Sequence, residues 1–119
     1  MAITPEVGAT AAKVNLRLYR GDDRGIQFTF TDSSSAPIAL PTSTWTSQIR
    51  AAVGAADVLA SFTVDASQAA TGVVKISLAH TDSATLPARC VYDLQVNSAG
   101  SITTYIQGSI SMDGEVTQP

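Results

Sequence analysis

The stretch CVYDLQVNSAGSITTYIQGSISM, residues 90–112, decides the fold class. Cys90, Tyr92, Leu94 and Val96 alternate with Val91, Asp93, Gln95 and Asn97. Successive side chains of a strand point to opposite faces, so this alternation is a strand with one apolar side. Asn97-Ser98-Ala99-Gly100 then supplies hairpin chemistry. From residue 101 the period resumes through Ile102, Thr104, Ile106, Gly108, Ile110 and Met112, which the spacing places inward, with Tyr105 outward. A lone hairpin cannot bury its apolar side, so a further layer is required.

The same period recurs upstream. Val14, Leu16 and Leu18 alternate with Asn15, Arg17 and Tyr19, and Ile26, Phe28 and Phe30 with Gln27, Thr29 and Thr31. Arg20-Gly21-Asp22-Asp23-Arg24-Gly25 separates these two strands as a turn, and residues 32–37 form a polar loop. Further strands are expected over 44–53 (Trp45, Ser47, Ile49, Ala51 and Val53 on one face), 58–64 (Val58, Ala60, Phe62 and Val64 inward) and 73–78 (Val74, Ile76 and Leu78 inward). His80 to Pro87 is the one non-strand insert, a short helical turn capped by Thr81 or Asp82 and stopped by Pro87.

Seven strands with one apolar face each predict an all-β, immunoglobulin-like β-sandwich over residues 13–113. An eight-stranded barrel is the structural alternative. Residues 1–12 lack the alternation and read as an extended N-terminal arm; 114–119 read as a polar tail. The chain has 119 residues, which suits one domain.

Composition narrows the function. Charged residues are 14% of the chain, and Ser, Thr and Ala take their place. A surface poor in Lys and Glu suits close contact with neighbours, and self-association is expected. The seven basic residues are dispersed along the sequence and the net charge is −3, so nucleic acid is not an expected partner. No apolar run suits a membrane span, and residues 1–6 do not read as a signal peptide, so synthesis in a cytoplasm is expected. A single cysteine, Cys90, rules out an intrachain disulfide and falls on an inward position.

No catalytic constellation is legible. His80 is the only histidine, and no Gly-x-Ser-x-Gly elbow accompanies it. Asp22, Asp23, Asp32, Asp57 and Asp82 all fall in turns, where Asp bonds the backbone. The expectation is no enzyme, no metal and no cofactor. Arg20-Gly21-Asp22 spells a tripeptide known from cell adhesion, but here it reads as a tight turn. Partner contacts are expected from Ile3, Pro5 and Val7 of the arm and from the outward Tyr19 and Tyr105.

Several segments together carry a resemblance. They are Leu18 to Asp23, Ile26 to Asp32, Ala36-Pro37-Ile38-Ala39-Leu40 and Trp45 to Arg50, followed by Phe62 to Asp65, Gly72-Val73-Val74, Leu86 to Arg89 and Tyr92 to Gln95. This pattern is similar to the N-terminal immunoglobulin-like domain of phage baseplate upper proteins and related small virion proteins. The resemblance implies a virion structural role without catalysis or cofactor, with capsid, tail or baseplate subunits as partners. The baseplate proteins continue into a long receptor-binding part that has no counterpart in these 119 residues, so capsid decoration or a tail or baseplate accessory role is expected. The competing expectation is a carbohydrate-binding or host-adhesion module, for which Trp45 would have to be exposed.

Overall fold

The structure, a computed structural model, describes residues 2–3, 12–31, 34, 36–42 and 44–113. The chain is all-β. Its described strands are β1 (Ala2–Ile3), β2 (Ala12–Lys13), β3 (Leu16–Tyr19), β4 (Arg24–Phe30), β5 (Thr44–Arg50), β6 (Ala60–Asp65), β7 (Val73–Leu78), β8 (Arg89–Ser98) and β9 (Ser101–Asp113), with a helical turn, α1 (His80–Ser83), and a second, 3-10 turn at Ala69–Thr71 that the sequence pattern does not predict.

Hydrogen bonding runs in the order β1-β4-β7-β6-β5-β8-β9-β2, with β3 also on β9. The continuity depends on β6. Ala60, Ser61 and Phe62 pair with β5, whereas Thr63, Val64 and Asp65 pair with β7. One strand therefore belongs to both halves, and the sheet curls over its own apolar face. Phe28, Phe30, Val74, Ile76 and Leu78 from one half and Ile49, Tyr92, Leu94, Ile106 and Ile110 from the other are buried in a single core. Ring contacts cross it: Phe30 meets Tyr105 edge-on at 5.6 Å, and Phe62 meets Tyr92 at 5.7 Å.

The seven sequence-predicted strands all have counterparts; β4 takes in Arg24 and Gly25 from the expected turn, and the boundaries of β5 and β6 also move. β5 ends at Arg50, and Ala51 and Val53, expected inward, are exposed. β6 begins at Ala60, leaving Val58 in an exposed loop. The cause is Arg50, whose Nη1 donates to the carbonyls of Ala55 and Ala56, both at 2.8 Å. These bonds gather residues 51–59 into a loop in place of continued pairing. Of residues 1–12, expected as an arm, Ala2 and Ile3 pair in parallel with Thr29 and Phe30, and Ala12 pairs in parallel with Ile106. The rest of that segment, and residues 114–119, lie outside the described residues.

The phase of β9 is a second correction. Leu94 pairs with Ile106 but Gln95 pairs with Thr104, so Tyr105 is the extra residue of a β-bulge. The bulge reverses the alternation before it. Ile102, expected inward, is 64% exposed, and Tyr105, expected outward, is half-buried.

The helical turn is not capped by Thr81 or Asp82. Ala79 occupies the cap position without a side-chain bond, and Asp23 Oδ1 accepts the His80 N–H at 2.6 Å. The cap thus comes from the β3–β4 turn, 57 residues away in sequence.

Candidate interaction surfaces

Edges come first, since unpaired strand edges are templates for another chain. β4 pairs with β7 on one side, and on the other, among the described residues, β1 covers Thr29 and Phe30. Among the described residues, no strand lies beside the earlier part of β4 on that side. At the opposite end of the path, β2 and β3 lie on β9, and among the described residues no further strand lies beyond them.

Of the sequence-predicted contact residues, Ile3 and Tyr19 lie on these edges. Ile3 pairs with Phe30 through β1; Pro5 and Val7 lie outside the described residues. Tyr19 ends β3 opposite Asp113 and is 56% exposed. Tyr105 is not a free outward anchor. Its ring sits 5.6 Å from Phe30 and 5.4 Å from Trp45, within an aromatic cluster. Trp45 is buried, and its Nε1–H donates to the Pro41 carbonyl at 2.8 Å.

A second surface is the outer face of β5, β8, β9 and the β2–β3 edge. Register aligns its side chains in rows: Gln48, Asp93, Gln107 and Lys13; then Arg50, Val91 and Ser109; then Arg89, Ser111 and Arg17. Gln48, Arg50, Asp93, Gln95, Thr104 and Gln107 line a groove of about 280 Å³. Val53 of the 51–59 loop forms part of its wall. Arg17, Arg89, Ser111 and Asp113 line a second recess of about 320 Å³ further along the same face. There Arg17 Nε donates to Asp113 Oδ2 at 2.7 Å, and that bond holds the Arg17 proton more tightly than in a free guanidinium. Sequence reasoning missed this face, although its polar half of each alternation was visible; which strands lie side by side was not.

The Arg20–Asp23 turn is clamped through its backbone and Arg20, with the Asp22 and Asp23 side chains exposed. The buried Ser83 hydroxyl accepts from Gly21 N at 3.0 Å and donates to Asp22 O at 2.9 Å, and Arg20 Nε donates to Leu86 O at 3.1 Å. Asp23 and His80 share a contact of 3.0 Å through Nδ1. The His80 backbone N–H, and then its ring, lower the Asp23 pKa. Ser83 reaches the His80 backbone carbonyl and not its imidazole, so these three do not form a nucleophile–base relay. Cys90 is buried, and burial pushes its thiol up, away from a reactive thiolate. Among the described residues, no three His, Cys, Asp or Glu side chains gather as metal ligands.

A scan against protein-family models finds no match, and neither does a comparison with curated proteins. Among solved structures, the chain is similar to the crystal structure of Listeria monocytogenes InlP, with a TM-score of 0.50 and 10% identity over 87% of this chain. The chain spans 28% of that protein's length, and at this identity the likeness concerns the fold alone.

Proposed function

We propose that this chain is a phage virion structural protein, a non-catalytic accessory subunit that decorates a capsid or joins a tail or baseplate. It docks on neighbouring virion subunits through its N-terminal segment and strand edges. The observation that carries the reading is β1. Two residues, Ala2 and Ile3, hold the N-terminus to the edge of β4, and Ala12 and Lys13 hold the same segment to β9. The equivalent segment of a neighbour offers the same register at both edges and can take the place of this one.

The finer fold assignment belongs with this reading. The order β1-β4-β7-β6 and the run β5-β8-β9 support an immunoglobulin-like sandwich with sheets ABED and CFG, although β6 also pairs with β5 and joins the two. The parallel β3 on the last strand is an added edge. Repeated weak contacts across a symmetric particle give avidity without a tight single site. Nucleic acid and membrane are not partners in this account, and the protein works in the virion after synthesis in a bacterial cytoplasm. The aromatic-platform version of a carbohydrate-binding module draws no support from Trp45, which is buried.

Light scattering on the full chain and on a chain lacking residues 1–10 tests the assembly role. Oligomers from the full chain and monomers from the shortened one are expected; equal masses contradict it. Recovery of the chain in particles pelleted from producing bacteria tests the virion role, and its absence from such particles overturns that role.

A further inference from the structure

We infer that the outer face of β5, β8, β9 and the β2–β3 edge binds an extended anionic oligosaccharide, laid along the direction of β8. The inference is independent of the virion reading. It starts from charge. The face carries Lys13, Arg17, Arg50 and Arg89 against Asp93 and Asp113, a net of +2 on a chain whose formal net charge is −3. The sequence order hides this, because the four cations come from four different strand segments that pairing brings side by side.

The two recesses lie in line. Val91, Asp93 and Gln95 of β8 line the first, and Arg89 of β8 lines the second. From Arg89 to Gln95 the strand rises about 20 Å, the length of a short oligosaccharide and far more than one small anion needs. Their chemistry differs in a useful way. At one end, Arg89 and Arg17 flank Ser111 from the two strands on either side of β9, about 10 Å apart between backbones. Asp113 fixes Arg17 through Nε, which leaves its terminal nitrogens to meet a carboxylate, and Arg89 makes no side-chain hydrogen bond within the described residues. At the other end stand Gln95, Thr104 and Gln107, whose side chains likewise make none within the described residues. Each glutamine offers a donor and an acceptor, the pair that neighbouring sugar hydroxyls require.

An acidic protein is the other class of partner such charge would suit. The face argues against it, because protein interfaces centre on buried aromatic or apolar anchors. Here Tyr92 points inward and is buried, and the exposed Ile102 and Tyr19 stand apart at the two ends of the track, beyond Thr104 and opposite Asp113, while Val91, Ala52 and Val53 are the apolar side chains along it.

The test is an NMR titration of the full chain with tetragalacturonate, with maltotetraose, hexaglutamate and inorganic sulfate as separate probes. Saturable binding of tetragalacturonate is expected, with shifts at the side-chain amides of Gln48, Gln95 and Gln107 and weakening in salt. Arg17→Ala/Arg89→Ala weakens it about tenfold or more, and Gln95→Ala/Gln107→Ala about three- to tenfold. All four side chains sit on the surface, and the remainder of each variant's spectrum reports that its fold is kept. Four results overturn the inference: no saturable tetragalacturonate binding; equal binding of maltotetraose; equal binding of hexaglutamate, which assigns the face to an acidic protein; or the same shifts from sulfate with no effect of the glutamine variant, which reduces it to a simple anion site.

Discussion

The Tyr92 hydroxyl donates to the Val14 carbonyl at 2.7 Å, a bond that ties β8 to the N-terminal edge across the intervening β9. Removing it in Tyr92→Phe leaves the Val14 carbonyl short of a donor and costs about 1 kcal/mol in denaturant unfolding. Its pH dependence has a definite sign. Burial pushes the Tyr92 phenol and the Cys90 thiol up. The unfolded chain loses these protons near pH ~8.5 for Cys and ~10 for Tyr, while the folded chain keeps them. Stability is therefore full below that range and falls as pH rises through it. Tyr92→Phe removes the part of the fall that begins near pH ~10.

Gly108 makes that bond possible. It pairs with Tyr92, and a Cβ placed on it would lie 1.9 Å from Val14 O and 3.2 Å from Tyr92 Cε1. Gly108→Ala must push the N-terminal edge away from β9. A loss of about 1–3 kcal/mol is expected, with faster amide hydrogen exchange over 12–19 than elsewhere. Wild-type stability in this variant would show that the edge is not seated on Gly108.

Trp45 is the sole tryptophan and reports the aromatic cluster. Its emission is expected to be that of a buried indole and poorly quenched by acrylamide. Tyr105→Ala removes the ring between Phe30 and Trp45, lowers stability by about 2 kcal/mol and makes Trp45 more quenchable. Strong quenching in the unaltered protein would place Trp45 outside the core.

Asp23 caps α1 and is held in its charged form by that role. Its carboxyl titration, followed by NMR, is expected to have a midpoint below ~3.9. The contribution to stability is present above that value and lost as pH falls through the lowered midpoint. His80→Ala raises the midpoint only part of the way, because the backbone N–H at position 80 remains. A full return to the ordinary value would assign the shift to the imidazole.

The alternation of apolar residues made the seven main strands legible, and β7 matches its expected bounds of 73–78. What sequence could not show was contributed by partners distant in the chain. The bulge at Tyr105 is a mismatch in pairing with Leu94 and Gln95, so a count along β9 alone carries the phase through it and misplaces Ile102. Arg50 gathers the 51–59 loop through backbone carbonyls, which leave no trace in residue type. Asp23 was legible as a turn residue, yet its use as a cap for α1 depends on the fold bringing the two together. The outer-face rows were invisible for the same reason: Arg17, Ser111 and Arg89 become neighbours only once β3, β9 and β8 are side by side.

The most direct test of the docking role is disulfide trapping at the β1–β4 pair. Ala2 and Thr29 are Cα partners, at a strand separation within the reach of a disulfide. In a Cys90→Ala background, Ala2→Cys/Thr29→Cys is oxidised at increasing protein concentration and run without reductant. The account predicts that bonds between chains appear and grow with concentration, giving dimers and longer species as N-terminal segments exchange. Bonds confined within single chains at every concentration would contradict it.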